Sequence, residues 1–147
     1  MTVPAVSVLF ARSHSVGGLL IRGVTWSQWS HCAVEFIHRG ESFVVEATWP
    51  RGVIVTDSSV FRRRMSRVET VQVSVPDPAA AMRFAMAQVG KPYDTWGVLG
   101  LGIHREWDDP ESWWCSEHVA ASLAAGGKPL FSRAQRRVTP QHLWMVL

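Results

Sequence analysis

The first half of the chain alternates short apolar, β-branched segments with turn residues, a pattern typical of an antiparallel sheet. The clearest pair of segments covers residues 31–38 and 42–48, separated by Arg39, Gly40 and Glu41. This pair predicts a β-hairpin. Further strands are predicted at residues 5–10, 52–56 and 67–75.

The pattern changes from strands to helices after Pro76. Asp109 and Pro110 suit the N-cap and first position of a helix that carries Cys115 and ends at Gly126. Because strands precede helices with no βαβ alternation, the predicted fold class is α+β, an antiparallel sheet packed with helices. The other predicted helices cover residues 16–25, 79–89, 93–101 and 139–147.

Length and hydropathy limit the domain organisation. The chain has 147 residues, 47% of them hydrophobic, which is enough to bury one core and predicts a single domain over residues 1–147. Its start has no signal-like segment, and no apolar run reaches the length of a membrane span. We therefore expect a cytoplasmic or particle-associated protein without a membrane span.

Positive charge is concentrated in two arginine clusters, and the formal net charge is +3. Nucleic-acid-binding regions usually combine such clusters with interleaved aromatic residues or a docking motif, and neither is visible here. The clusters are interpreted as solvated basic faces, so no nucleic-acid partner is predicted. Their members are Arg62, Arg63, Arg64 and Arg67, and Arg133, Arg136 and Arg137.

Cys115 is the candidate nucleophile. Near the start of a helix, unpaired N–H groups and the positive end of the helix dipole favour a thiolate, which is the form that attacks carbonyl carbon. Val119, Ser122 and Leu123 share its helix face and should hold it at the edge of the core. Cys32, the other cysteine, lies in a predicted strand and is expected to behave as a small hydrophobe facing away from His31.

His31 is the candidate base among six histidines, because it opens a strand expected in the middle of the sheet. If Arg39 and Gly40 form a two-residue loop, Glu46 lies diagonal to His31 on the same face, with about 7 to 8 Å between the backbones. A glutamate can span that distance and orient the imidazole. A loop that also included Glu41 would send Glu46 to the opposite face.

Three alternatives stay open on the residues alone. His118 is three positions after Cys115 on the same helix and could act as the base instead. Cys32, His31, Cys115 and His118 could be metal ligands, but His31 and Cys32 are strand neighbours and point to opposite faces, so no metal and no cofactor is predicted. The domain could also be a catalytically silent binding or assembly module.

Short motifs around these residues occur in a defined order. They are residues 29–34 (Trp-Ser-His-Cys-Ala-Val), 44–47 (Val-Val-Glu-Ala), 90–94 (Gly-Lys-Pro-Tyr-Asp), 114–117 (Trp-Cys-Ser-Glu) and 138–140 (Val-Thr-Pro). The order resembles that of the circularly permuted NlpC/P60 hydrolases, in which the histidine strand precedes the cysteine helix. The resemblance implies a papain-like fold, with Cys115 as nucleophile, His31 as base and Glu46 as the third member.

The resulting functional hypothesis is a cysteine hydrolase that cleaves an amide bond, with a peptidoglycan-type peptide as the leading substrate, or an ester bond. Because the permuted branch also resembles the lecithin–retinol acyltransferase group, an acyl-lipid hydrolase or acyltransferase is the alternative. The backbone N–H of Cys115 and the hydroxyl of Tyr93 are the candidate oxyanion donors. Trp114 is expected to shape the substrate and oxyanion site beside the cysteine.

Overall fold

A five-stranded antiparallel sheet forms the centre of the fold, with strand order β4-β3-β2-β1-β5. The computed structural model describes residues 5–13, 27–94, 112–131 and 138–147. β2 is the central strand, as the sequence predicts, and the α+β class is confirmed. The strands are β1 (Ala5–Arg12), β2 (His31–His38), β3 (Glu41–Thr48), β4 (Gly52–Asp57) and β5 (Arg67–Ser74).

Helices cover both faces of this sheet. α3 packs on β2 and β3, and α2 packs beside it against α3 and β1, whereas α1 packs on the other face against β3 and β4. Within the described ranges, none of these helices is long and apolar enough to cross a membrane. The helices are α1 (Ser58–Arg64), α2 (Pro78–Ala87), α3 (Cys115–Ala125) and α4 (Pro140–Val146).

The structure corrects two of the predicted helices. α3 begins at Cys115, with Trp114 in the N-cap position and no side-chain cap, so Asp109 is not its N-cap. Tyr93 pairs with Trp113 in an isolated β-bridge instead of starting a helix. The predicted helix at 16–25, the continuation of the one at 93–101, and Pro110 lie outside the described residues.

α1 was not predicted, although a capping signal precedes it. Asp57 ends β4 and caps α1, because its side chain accepts hydrogen bonds from the backbone N–H groups of Ser59 and Val60. The helix has only seven residues, too few to show a clear apolar period. Its one large buried side chain, Phe61, completes a small second core on the face of the sheet opposite the main core.

The hairpin between β2 and β3 has the predicted two-residue loop. Arg39 and Gly40 have φ angles of 53° and 82°, the left-handed conformation that suits a tight hairpin turn. In the resulting register Val34 pairs with Val45. Since pairing fixes which face each side chain occupies, Glu46 projects from the same face as His31.

Gly52 is the position where an added side chain should damage the fold most clearly. Its φ is 81°, and a Cβ there would collide with the carbonyl oxygen of Lys91, which accepts a hydrogen bond from Val53 N at 2.9 Å. Backbone strain and steric overlap together should make Gly52→Ala lower the free energy of unfolding by about 2 to 4 kcal/mol. Urea unfolding measures this loss.

Gly40→Ala is the matched control for this substitution. Gly40 has nearly the same φ, 82°, but no atom lies within 4 Å of an added Cβ. It should therefore cost only the left-handed backbone strain, about 1 kcal/mol. Equal losses in the two variants would show that the close approach of Gly52 to Lys91 has no energetic consequence.

Candidate active site

His31 and Glu46 meet at one end of the sheet. Nε2 of His31 lies 2.6 Å from Oε2 of Glu46, and the glutamate side chain is fully buried. The contact follows from the hairpin register, because the diagonal neighbour on the adjacent strand is close enough for a glutamate to span the gap. The geometric part of the prediction, that the two side chains share a face and hydrogen-bond, is confirmed.

The second carboxylate oxygen of Glu46 is also occupied. Thr56 Oγ1 donates to Oε1 at 2.8 Å, and Nη2 of Arg64 donates to the same oxygen at 2.5 Å. Burial by itself would raise the pKa of Glu46, but hydrogen bonds and positive charge from His31 and Arg64 lower that pKa to about 2. Glu46 is therefore a carboxylate throughout the neutral range.

Cys115 is the first residue of α3 and has a free, buried thiol. It belongs to the main core cluster, on the face that also contains Cys32. A hydrogen bond with Cys32 lowers the pKa of Cys115, and although burial opposes the shift, His31 lowers it further, leaving the pKa well below that of an ordinary thiol. The helix N-terminus favours the same thiolate form.

His31 links the two faces of the sheet. As the first residue of β2 it lies at the strand end, where its imidazole interacts with Cys115 of α3 as well as with Glu46. Burial alone would lower the pKa of His31, but hydrogen bonding to Cys115 and Glu46, with their negative charge, raises it to about 10. A thiol with a lowered pKa beside an imidazole with a raised pKa favours a thiolate–imidazolium pair.

Cys32 faces away from His31, as predicted, and is fully buried in the main core cluster. The sequence did not predict that α3 would place Cys115 against it. Burial and contact with Cys115 raise the pKa of Cys32 well above its ordinary value. Of the two thiols, Cys115 is therefore the one with thiolate character.

Tyr93 pairs with Trp113, two residues before Cys115, and Trp114 directly precedes Cys115. The bridge between Tyr93 and Trp113 is held by hydrogen bonds of 3.0 Å on both sides, from Asp94 N to Trp113 O and from Trp113 N to Pro92 O. Burial raises the pKa of Tyr93 well above its usual value, and the charge of Cys115 adds to the shift, so the phenol keeps its proton.

The indole of Trp114 is buried, and its Nε1 has no hydrogen-bond partner in the part of the chain that the structure describes.

His118 faces α2 and not the sheet. Its Nε2 lies 3.4 Å from the carbonyl oxygen of Ala85, and its ring meets Trp113 edge-on at 6.1 Å. Burial lowers the pKa of His118 to about 4 against a smaller opposing effect of that hydrogen bond, so the residue is neutral at pH 7. This environment is that of a structural core histidine.

The metal hypothesis finds no support in the geometry. Across residues 5–13, 27–94, 112–131 and 138–147, no three His, Cys, Asp or Glu side chains form a cluster that could hold one metal ion. The four residues considered as ligands all lie in these ranges, and they are not such a cluster.

Sequence reasoning missed the contribution of α1 to the site. The ring of Phe61 lies 5.9 Å from that of His31, and Arg64 contacts Glu46 directly. Arg64 was interpreted as part of a solvated basic face, because nothing local distinguishes it from Arg62 and Arg63. The Asp57 cap could have indicated the helix, but not which of its arginines would reach a buried carboxylate.

Comparison with known proteins identifies relatives of this arrangement. Residues 3–135 match the model of a family described as permuted papain-like amidase enzymes, YaeF/YiiX, C92 family. The fold is similar to the crystal structure of the metalloprotein YiiX from Escherichia coli O157:H7, with a TM-score of 0.65 and 20% identity over 88% of this chain and 70% of that one. No curated protein matches the sequence.

Proposed function

Because the chain belongs to the YaeF/YiiX, C92 family of permuted papain-like amidases, we propose that it hydrolyses an amide bond with Cys115 as nucleophile, His31 as acid and base, and Glu46 as the residue that orients His31. The observation that carries this proposal is the buried series of contacts from Cys115 through His31 to Glu46. The pKa shifts of Cys115, His31 and Glu46 each favour the protonation state that the proposed role requires.

In the proposed reaction the Cys115 thiolate attacks the carbonyl carbon of the amide and forms a C–S bond. The His31 imidazolium donates its proton to the leaving nitrogen as the C–N bond breaks, which leaves a thioester on Cys115. Neutral His31 then accepts a proton from a water molecule whose oxygen attacks the thioester carbonyl carbon. The C–S bond breaks, the carboxylic acid product is released, and the Cys115 thiolate and His31 imidazolium are restored. Glu46 stays ionised throughout and stabilises the imidazolium.

The negative charge on the tetrahedral intermediate needs hydrogen-bond donors. The backbone N–H of Cys115 is one proposed donor, because the first residues of a helix have no intrahelical acceptor for their N–H groups. The protonated hydroxyl of Tyr93 is the second, since its pKa is raised beside Cys115. Trp114, whose indole N–H has no partner among the described residues, is proposed to line the same site.

The proposed substrate is a small peptide, with a peptidoglycan-type peptide as the leading class. The amidase description of the family supports an amide over an ester. Matched esters of the same acyl groups, assayed beside the peptides, test the ester alternative.

Alkylation tests whether the thiol is activated. Iodoacetamide applied at mildly acidic pH should label Cys115 faster than an ordinary thiol, because only a thiolate with a lowered pKa reacts there. Peptide mass mapping after brief exposure should find the label on Cys115 and not on Cys32. Cys32→Ser serves as the control and should be labelled to the same extent as the wild type.

Two results would contradict this proposal. If labelling appears only as the pH approaches the pKa of an ordinary thiol, Cys115 is not activated. The catalytically silent module of the same fold would then be the better interpretation. Preferential labelling of Cys32 would show that Cys32, and not Cys115, is the activated thiol.

A further inference from the structure

Arg64 contacts Glu46 but has no role in the proposed reaction. It is the last residue of α1, and its Nη2 contacts Oε1 of Glu46 at 2.5 Å, while the other oxygen of Glu46 contacts His31. The carboxylate is fully buried, whereas the Arg64 side chain is 36% exposed. One buried anion is thus held between two cationic partners, one on each oxygen.

α1 is fixed over this carboxylate by contacts along its length. The Phe61 side chain of α1 is fully buried, and its ring lies beside that of His31. The guanidinium of Arg64 lies 5.6 Å from the centre of the Phe61 ring. Ser58 Oγ is 2.8 Å from Ser42 Oγ, and Arg62 forms an ion pair with Glu35 at 3.1 Å. The helix therefore presents Arg64 to Glu46 from a defined position.

The geometry points to Arg64 as a positioning residue that fixes the Glu46 carboxylate so that Oε2 faces His31. This inference rests on the proposed function, because it assigns Arg64 a role in orienting the base of that reaction. Arg64 acts through Glu46 and has no contact with the reacting atoms in this role. A buried carboxylate with one partner removed is poorly compensated, so it can turn away from His31 or take up a proton.

The charge of Arg64 also predicts the direction of a pH effect. Without Arg64 the Glu46 carboxylate holds the His31 imidazolium less firmly, and because that imidazolium lowers the pKa of Cys115, the pH at which Cys115 becomes a thiolate should rise. Other titratable groups in the described ranges interact with this set and are present in every variant compared. They are Cys32 and Tyr93, which interact with Cys115, and Asp94 and Glu117, which interact with Tyr93.

The test measures the rate of Cys115 alkylation by iodoacetamide as a function of pH in three variants. Arg64→Met should move the midpoint of the profile upward by roughly 0.5 to 1 pH unit. Arg64→Lys keeps a charge that can reach Glu46 and should retain the wild-type midpoint. Arg63→Met is the matched control, because Arg63 is on the same helix but contacts Ser59.

A second measurement excludes a merely structural effect. In a Glu46→Gln background, Arg64→Met should produce no more than a small further shift, because the anion through which Arg64 acts is gone. Far-UV circular dichroism and thermal unfolding report whether each variant is folded. If Arg64→Met does not fold, Arg64→Gln, which keeps a donor without the charge, takes its place and should show the same upward shift.

An unchanged midpoint in Arg64→Met would overturn the positioning role, and so would a shift in Arg64→Lys or Arg63→Met as large as that in Arg64→Met. Failure of the proposed function gives a different result. In that case the wild-type protein itself reacts like an ordinary thiol, with no low-pH alkylation for any Arg64 variant to shift.

Discussion

Cys115→Ala should abolish hydrolysis of every peptide amide that the wild-type protein cleaves, lowering kcat by at least roughly 10⁴-fold. The substitution removes the atom that forms the bond to the carbonyl carbon, and neither His31 nor Glu46 can replace it. Alanine is smaller than cysteine and fits the buried site at the start of α3, so the fold should survive. A panel of peptidoglycan-type peptides, with matched esters of the same acyl groups, provides the substrates.

Cys32→Ser is the control for this experiment. Cys32 is fully buried beside Cys115 and hydrogen-bonds with it, and a serine hydroxyl can still donate a hydrogen bond to the thiolate. This variant should therefore keep most of the wild-type turnover. Amide cleavage that persists in Cys115→Ala would remove the nucleophile assignment, and cleavage of the esters alone would replace the amide by an ester substrate.

The relation of His31 to Glu46 could be predicted from the sequence because it depends on local chemistry. Arg39 and Gly40 favour a two-residue hairpin loop, and the loop length fixes the register and the face of each side chain. The order of strands and helices likewise follows from patterns within short segments. The α+β class was therefore accessible without any tertiary information.

The parts that escaped prediction depend on which element packs over a face. Alternation places Cys32 and His31 on opposite faces, but it does not show that α3 would bring Cys115 against Cys32 and within reach of His31 at the strand end. Arg64 is a similar case. Its contact with Glu46 joins a seven-residue helix to a strand residue 18 positions earlier, and only the folded arrangement brings them together.

His31→Ala should have the second large effect, a loss of kcat of roughly 10³-fold or more. The variant lacks the proton donor for the leaving nitrogen and the cation that stabilises the thiolate. It should nevertheless fold, because Glu46 keeps Arg64 and Thr56 as partners for its buried charge. Turnover on the same peptide panel and thermal unfolding measure the two expectations separately.

The pH dependence of this variant gives a further signature. In the wild type the imidazolium loses its proton near its pKa of about 10, and the thiolate forms well below the ordinary thiol pKa, so activity should hold over a broad range between these limits. Without His31 the Cys115 thiol loses a partner that lowers its pKa. Alkylation by iodoacetamide should then require a higher pH than in the wild type.

His118→Gln separates the two histidines that the sequence left as candidate bases. Glutamine can keep a donor for the carbonyl oxygen of Ala85, so the variant should remain folded, and its turnover should stay close to that of the wild type. Because His118 is buried against α2 and neutral at pH 7, it cannot stabilise the Cys115 thiolate as a cation. An inactive but folded His118→Gln protein, together with an active His31→Ala protein, would move the base from the sheet to the cysteine helix.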